Sequence, residues 1–173
     1  MRVFLPLLLL AGPALAQTRH NTDAPIDFSA NAIELQDRAN RALLTGNVQV
    51  RQAEMTLNAA RMAVAYTGQV IGGSPQVSRL DASGGVTVRR PDQTARASYA
   101  IYDLNRRIIT MLGAVTLSQG SNTVNGGRLT INLDTGRAVI DGSSVGSSGA
   151  RAPGATSTRG GRVTGTFSIP DRN

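Results

Sequence analysis

The chain has no cysteine and no lysine, and it contains a single histidine among 173 residues. Without cysteine no disulfide can form, so the hydrophobic core and strand pairing must hold the fold in an oxidising compartment. Without lysine, neither a P-loop GK[ST] motif nor a Schiff-base or kinase-type lysine is possible. The chain therefore cannot be a P-loop ATPase or a lysine-dependent kinase.

Side chains suited to catalysis are also scarce. His20 lies near the N-terminus with no candidate triad partner beside it, so we interpret it as a spacer. Most carboxylates fall in polar turns next to Arg or Gly, and these are interpreted as turn formers: Asp37, Asp103, Asp134 and Asp141. A small polysaccharide-acting β-helix enzyme would instead need carboxylates at inward positions, which are mostly aliphatic. We therefore expect no catalysis, no metal and no cofactor.

Aromatic residues are few, while positive charge is abundant. The formal net charge is +7, and all eighteen basic residues are arginine. Residues 24–145 hold twelve Arg against nine acidic residues, and residues 146–173 hold four against one, which gives a mixed surface and a basic tail. Single-strand nucleic acid binders interleave basic residues with stacking aromatics, which this chain lacks. A basic exported binder of nucleic acid or acidic polysaccharide stays open only as an alternative.

The first sixteen residues have the pattern of a secretory signal peptide. Arg2 precedes the apolar run VFLPLLLLAG, and Ala14-Leu15-Ala16 forms an AxA cleavage site. The apolar run is shorter than the roughly 20 residues that span a bilayer, and an uncleaved anchor is the alternative. No cysteine follows that could carry a lipid. We expect an exported chain that begins at Gln17 and resides in the periplasm.

Alternation of apolar and polar residues dominates the rest of the chain and hides a repeat. The stretch LLTGNVQVR, from Leu43, alternates with period two around Gly46, and similar stretches surround Gly84 and Gly113. Units of 29 residues begin at small residues, namely Ala30, Ala59, Ala97 and Gly126, with nine additional residues around 67–76 in the second unit. Each unit is predicted to be a short β-meander, and stacked meanders bury one continuous apolar face.

The same alternation extends to a segment that is rich in alanine. NAARMAVAY, from Asn58, contains good helix formers, but its apolar residues follow period two with one phase shift near Ala60. We therefore predict a strand there. Gly46 and its equivalents are predicted to let strands bend or approach closely.

These residues resemble the OstA-like family, whose LptA branch is the periplasmic component of lipopolysaccharide transport. The resemblance rests on four pieces in order: APIDFSANAIEL, LLTGNVQVRQAEMTLNAARMAVAY, ARASYAIYDLNRRIITMLGAVTLSQGSNTVNGGRLTI and GRVTGTFSIP. No single piece is specific, but the preserved 29-residue spacing is. Asn31, Ala60, Ser98 and Gly127 stand where the family often has an acidic residue, and we interpret these positions as a solvent-facing corner.

The resemblance implies an all-β fold, a semi-open antiparallel β-jelly roll of about four meander units. Its interior would shelter the acyl chains of lipid A. The residues expected to line this interior are Ile26, Phe28, Leu35, Leu44, Val48, Val50, Leu57, Met62, Val64, Tyr66, Val86, Val88, Tyr102, Leu104, Met111, Val115 and Ile131. Four arginines, Arg89, Arg90, Arg106 and Arg107, are candidates for contact with lipid phosphates, with solvated turns as the alternative.

The resemblance also implies open edge strands at both ends that pair with partners. The expected partners are an inner-membrane LptC-like protein, an outer-membrane LptD-like protein and further copies of the chain, and an LptC-like role for the chain itself is the alternative within the pathway. At the N-terminal edge we expect Pro25 to Ala30, including Ile26, Asp27 and Phe28. At the C-terminal edge we expect Val163 to Ile169, including Thr164 and Phe167, ended by Pro170.

These expectations divide the chain into five segments. Residues 1–16 are the cleaved signal peptide, and residues 17–23 form a flexible N-terminal arm. The jelly roll covers residues 24–141. A linker rich in Gly, Ser and Thr follows over residues 142–161, and residues 162–173 are the C-terminal edge strand and tail.

Overall fold

The computed structural model describes residues 20–68, 72–142 and 162–167, and within them it is almost entirely β-sheet. The strands are β1 (Ile26–Ser29), β2 (Ala32–Gln36), β3 (Arg41–Gln52), β4 (Met55–Thr67), β5 (Gln76–Arg89), β6 (Thr94–Asp103), β7 (Ile108–Gln119), β8 (Asn122–Asn132), β9 (Ala138–Asp141) and β10 (Thr164–Thr166). A short 3-10 turn, Asp37–Ala39, connects β2 to β3. The predicted signal peptide lies outside the described residues, as do Ile169 and all of the linker except Gly142.

Strand β4 shows how burial overrides helix propensity. It contains the alanine-rich segment, and its buried residues alternate from Met55 to Ala59 and again from Met62 to Tyr66. The two phases meet at Ala60 and Arg61, which are both exposed. The predicted strand with its phase shift is therefore confirmed, because a helix would have placed these apolar residues on different faces.

The strands form one sheet in which every pair is antiparallel. The order is β1-β3-β4-β5-β6-β7-β8-β10, with β2 also paired to β3 and β9 also paired to β8. Each outer edge therefore consists of two short strands. Because the two edges do not pair with each other in the described sheet, the sheet is not closed into a barrel.

A row of β-bulges bends this sheet in the middle. The register shifts between Thr45 and Val48 on β3, and equivalent shifts interrupt every pairing from β3 to β8. Bulges increase local bend and twist, and here they align across the sheet. The bend divides the sheet into two layers. Layer A contains residues 26–29, 48–58, 86–96, 115–125 and 164–166, and layer B contains residues 32–45, 61–68, 72–83, 99–112 and 128–141.

The glycines of the repeat stand at this bend and explain it. Gly46, Gly84 and Gly113 have φ of 76°, 82° and 79°, a backbone conformation that side chains disfavour. A Cβ on Gly84 would lie 2.7 Å from the Cβ of Ala60, and one on Gly113 would lie 3.1 Å from that of Ser98. Both roles predicted for these glycines, bending and close approach, are thus seen in the structure.

The core lies between the two layers. Alternate residues of each long strand are buried there, and the Tyr102 hydroxyl of layer B donates a hydrogen bond of 2.7 Å to Gln52 Oε1 of layer A. On the side opposite the bend, which we call the seam, the end of β3 at Gln52 lies near the end of β6 at Tyr102. The turns that follow Arg89, Asp103 and Asn132 end their strands on this same side. No strand ladder joins the layers at the seam within the described sheet. The predicted all-β fold that is open along one side is confirmed.

Candidate functional site

The inner face of the bent sheet brings together nearly all of the residues that the sequence predicted as lining. Buried against each other are Leu44, Val48, Val50, Leu57, Met62, Val64, Tyr66, Val86, Val88, Tyr102, Met111, Val115 and Ile131. Ile26 and Leu104 are half-buried and pack against this cluster. The alternation that predicted the strands therefore also identified which side chains face inward.

Phe28 and Leu35 differ from the others because they are 46% and 52% exposed. Their registers explain this, since Phe28 pairs with Val50 on β3 and Leu35 pairs with Ala42, and both of those partners are buried. Directly opposed residues of antiparallel strands point to the same face. Phe28 and Leu35 thus lie on the inner face but at the sheet edge, where no further strand covers them. Ile33, which the prediction omitted, lies beside them and is also exposed.

In layer A, the C-terminal edge also has apolar side chains that no further strand covers. Gly165 of β10 pairs with Val124 of β8, so Val163 and Phe167, two residues to either side of Gly165, share the face of Gly165. Both are exposed large hydrophobic residues. The inner apolar face therefore reaches both ends of the sheet and is uncovered at each. Val139 of β9 is also exposed, but it pairs with Thr130 and lies on the outer face.

Methionine is concentrated on the inner face. The chain has four methionines, and the three that follow Met1 are Met55, Met62 and Met111, all of which are fully buried between the layers. Unbranched methionine side chains change rotamer readily and adapt to irregular neighbours. The interior of the bent sheet therefore contains three adaptable side chains.

Several inward residues were missed by the predicted list. Met55, Leu80, Ile109, Leu129 and Leu133 are fully buried in the same cluster. Each of them stands two residues from another buried apolar residue, so the period-two alternation that is visible in the sequence would have found them.

Gln52 is the one buried polar residue in the core of the described chain, and the sequence prediction missed it. Only 2% of its surface is exposed, and it continues the inward row of Val48 and Val50. Its Nε2 donates to the backbone oxygens of Thr22 (2.8 Å) and Ala24 (3.1 Å). Its Oε1 accepts the hydrogen bond from Tyr102 at the seam.

The two oxygens on Gln52 Nε2 belong to the segment before β1. From here on, the arm means residues 20–24, which are the described part of the predicted arm together with Ala24. His20 is half-buried with its Nε2 3.4 Å from Gln52 Oε1, and this burial lowers the pKa of His20, an effect that the hydrogen bond to Gln52 opposes and the charge of Arg90 reinforces. Burial also raises the pKa of Tyr102 to about 12, so its hydroxyl stays a donor at neutral pH. Flexibility of residues 17–23 remains a prediction, while residues 20–24 contact both layers here.

The second contact of the arm is ionic. Asp23 Oδ1 lies 2.8 Å from one terminal nitrogen of Arg107, and Asp134 Oδ1 lies 3.1 Å from the other. The hydrogen bond to Asp134, together with the charges of Asp134 and Asp23, raises the pKa of Arg107. Of the four arginines proposed for phosphate contact, Arg107 thus already holds two carboxylates at the seam. Arg90, in a turn of layer A, lies near His20.

In residues 20–68, 72–142 and 162–167, no three or more His, Cys, Asp or Glu side chains are grouped so that they could hold a metal ion. Across those same ranges, no helix is long and apolar enough to cross a membrane.

Comparison with known proteins gives three findings. A family model described as LptA/(LptD N-terminal domain) LPS transport protein matches residues 27–137, more than half of the chain. An uncharacterized protein of Rhizobium meliloti (strain 1021) is 33% identical over 145 residues, which are 77% of this chain and 78% of the relative. A solved structure, that of LptH, is similar with a TM-score of 0.66 at 17% identity, covering 87% of this chain and 99% of LptH.

LptH is described as the LptA homologous periplasmic component of the conserved lipopolysaccharide transport device from Pseudomonas aeruginosa. At this identity the similarity bears on the fold alone. The bent, open antiparallel sheet of this chain is therefore the β-jelly roll of LptA-like proteins, as the sequence predicted.

Proposed function

The chain belongs to the LptA/(LptD N-terminal domain) LPS transport protein family, and from that premise we propose that it is a periplasmic bridge protein that binds lipopolysaccharide. Members of this family act in transport rather than in catalysis. In the proposed function, the acyl chains of lipid A lie between the two layers, and the lipid passes from the inner towards the outer membrane.

The observation that carries the proposal is the inner apolar face that continues to both ends of the sheet. Ile26 and Phe28 extend it at the N-terminal edge, and Phe167 extends it at the C-terminal edge. Exposed apolar side chains that continue a buried apolar face are typical of a surface that binds another apolar molecule. Each methylene group that moves from water into an apolar interior contributes about 0.8 kcal/mol. Several partly sheltered acyl chains would thus provide substantial affinity.

Entry of acyl chains would require the layers to separate at the seam. There the contacts between layers are polar side chains and the arm, whereas the bend on the other side is covalently continuous. Opening would therefore resemble a hinge at the row of bulges. Met55, Met62 and Met111 could then repack around the chains, because their rotamers interconvert readily.

The open edges support a bridge built from several molecules. β1 and β10 each leave one side of their backbone unpaired in the described sheet, and such edges accept an added strand. We propose that the N-terminal edge, Pro25 to Ala30, and the C-terminal edge, from Val163, pair with LptC-like and LptD-like proteins and with further copies. Strand addition would join the inner faces of neighbouring molecules into one path.

Residues 1–16 would direct the chain to the periplasm and be removed. We propose that the chain itself has no catalytic activity and uses no cofactor, so that movement of the lipid depends on an energy source elsewhere. The basic surface would then serve solubility and contact with anionic head groups.

Photo-crosslinking in cells tests the groove. A photoreactive phenylalanine analogue at Phe28 replaces a side chain of similar size and faces inward, and a second at Val64 probes the centre of layer B. The matched outward control is Gln49, whose side chain bonds Asn58 on the outer face. We expect capture of lipopolysaccharide at Phe28 and Val64 and none at Gln49; capture only at Gln49 would overturn the groove. Capture of nucleic acid that disappears at high salt would favour the basic-binder alternative instead.

A further inference from the structure

Gln52 is a polar side chain in a row of apolar ones, and its hydrogen bonds explain how the core tolerates it. Both donors of its amide are used by the arm, and its oxygen is used by Tyr102. A buried amide without hydrogen-bond partners destabilises a fold. The inner face therefore contains a polar site that needs two oxygen acceptors, and in this structure the acceptors are the Thr22 and Ala24 carbonyls.

Arg107 provides the cationic half of the same site. It stands in the turn between β6 and β7 with a positive φ of 57°, and its backbone oxygen accepts a hydrogen bond of 2.9 Å from Leu133 N. Asp134 of layer B occupies one terminal nitrogen, and Asp23 of the arm occupies the other. The guanidinium is thus fixed at the seam and receives one of its two anions from the arm.

Taken together, the arm presents two carbonyl oxygens to a buried amide and one carboxylate to an arginine, next to an apolar interior. An acylated, phosphorylated lipid carries the same groups: ester or amide carbonyls where its acyl chains begin, and phosphates beside them. Phosphate is also a stronger partner than carboxylate for arginine, with more acceptor oxygens. We propose that Gln52 and Arg107 form the head-group site for such a lipid, and that the arm is a latch that occupies this site until lipid displaces it.

This inference rests on the proposed function, since it requires lipid between the layers. The contacts that hold the arm in place can be broken without unfolding the sheet. The arm is attached by a few side-chain contacts without a strand ladder, and Asp23 is 80% exposed in its pair with Arg107. Exposed ion pairs contribute little and exchange readily with solvent. Release of the arm would also open the seam, through which acyl chains enter.

The absence of cysteine allows a direct test of the latch. Thr22→Cys introduces a single thiol in the mature full-length protein for a nitroxide label, whose mobility is measured by electron paramagnetic resonance. Without lipid we expect an immobilised label. Added bisphosphorylated lipid A should make the label mobile, in proportion to lipid binding measured separately by gel filtration with radiolabelled lipid. If lipid binds and the label stays immobilised, the latch is wrong and the proposed function stands. If lipid does not bind, both fail.

Affinity measurements provide the second part of the test. A chain that begins at Pro25 lacks the competitor, and we expect it to bind lipid A about tenfold more tightly, because the binding-competent state no longer has to be freed. Asp23→Asn, which weakens only the ionic contact, should give roughly twofold tighter binding. Asp92→Asn removes one negative charge from another turn at the seam and should leave the affinity unchanged.

The proposed contact between Arg107 and phosphate is tested by a separate measurement. In the intact protein, Arg107→Gln should reduce the preference for bisphosphorylated over dephosphorylated lipid A, while binding through acyl chains persists. Thermal unfolding of each variant checks that the sheet remains folded. An unchanged preference in folded Arg107→Gln protein, or a shortened chain that binds lipid more weakly than the full one, would overturn the assignment of this site.

Discussion

Each of the two edges of the sheet has one short strand in layer A and one in layer B, but the chain joins these two strands differently at each edge. At the N-terminal edge, β1 lies in layer A and β2 in layer B, and only Ala30 and Asn31 separate them. Asn31 N donates to Gly46 O at 2.8 Å, which fixes this corner onto β3. At the C-terminal edge, β9 lies in layer B and β10 in layer A, but residues 142–163 separate them.

This difference makes the two ends unequal in how firmly they are held. The N-terminal edge is one continuous bent ribbon whose two strands pair with the whole length of β3. The layer A strand of the C-terminal edge is three exposed residues long and is tethered through a long segment. Unequal ends that both show an apolar inner face suit head-to-tail contacts, which use two different surfaces. The N-terminal edge would act as the fixed member and the C-terminal edge as the exchangeable one.

The largest effect is expected from a change at the fixed corner. In Gly46→Ala, the new Cβ would lie 2.6 Å from Asn31 Nδ2 and 2.9 Å from Asn31 Cβ, at a φ of 76°. Left-handed strain of about 1–2 kcal/mol and overpacking of about 1–3 kcal/mol should together lower the free energy of unfolding by roughly 3 kcal/mol. Urea unfolding followed by far-UV circular dichroism measures this.

Substitutions at two other glycines separate the two contributions to that loss of stability, backbone strain and overpacking. Gly85 has a similar φ of 78° with nothing near its Cβ position, so Gly85→Ala should cost only the strain, about 1 kcal/mol. At the C-terminal edge, a Cβ on Gly126 would lie 2.8 Å from the Asp141 backbone oxygen. Gly126 does not have a left-handed φ, so Gly126→Ala should cost only the overpacking against the Asp141 backbone, about 1–3 kcal/mol, and less than Gly46→Ala. Equal losses at Gly46 and Gly126 would contradict the contribution of left-handed strain at the fixed corner.

The sequence predicted the part of this fold that depends on periodic burial. Alternation placed the long strands and most inward residues, because one buried face imposes period two on a strand. The 29-residue spacing located Gly46, Gly84 and Gly113, and the structure places all three at the bend. Of the four residues interpreted as a solvent-facing corner, Asn31, Ala60 and Ser98 are exposed, and each is the residue that a Cβ on the matching glycine would meet. The fourth, Gly127, is half-buried.

The polar part of the site could not be predicted in the same way. Gln52 looked like a polar residue at a strand end, and its burial depends on the arm, which is 28 and 30 residues away from it in sequence at its two contacts. The pairing of Arg107 with Asp23 spans 84 residues. Such contacts have no local pattern and arise only when the folded sheet brings its turns together at the seam.

A smaller effect, on association between copies of the chain, is expected from the exposed aromatic residue at each end of the sheet. Phe28→Ser and Phe167→Ser each remove an apolar inward side chain that a neighbouring copy would cover. Partial burial of one such side chain is worth about 1 kcal/mol, so each change should weaken head-to-tail association roughly fivefold. Sedimentation velocity over a range of concentrations measures this, with stability unchanged because both side chains are already exposed.

Two controls distinguish association through the ends of the sheet from nonspecific hydrophobic association. Val139→Ser removes an exposed apolar residue from the outer face of the C-terminal edge and should leave association unchanged. A chain that ends at residue 161 lacks β10 and Phe167. If the C-terminal strand is exchangeable, this chain should remain folded and lose one of its two association surfaces, so that association stops at dimers with intact protein. Unfolding of the shortened chain would show that β10 is a fixed part of the sheet.

The smallest expected effect is a pH dependence that only the N-terminal end should show. The pKa of His20 in the docked arm is lower than its usual value of about 6.5, because burial disfavours the charged imidazole. Docking therefore favours neutral His20: its contribution is complete above about pH 6.5 and is lost as the pH falls through the lowered pKa. A nitroxide at Thr22→Cys should be immobilised at about pH 7.5 and more mobile at about pH 5.5, and His20→Gln should abolish this change. A nitroxide at Val163→Cys, on the C-terminal edge, should show the same mobility at both pH values, and an equal response there would mean that the whole sheet, rather than the arm, responds to pH.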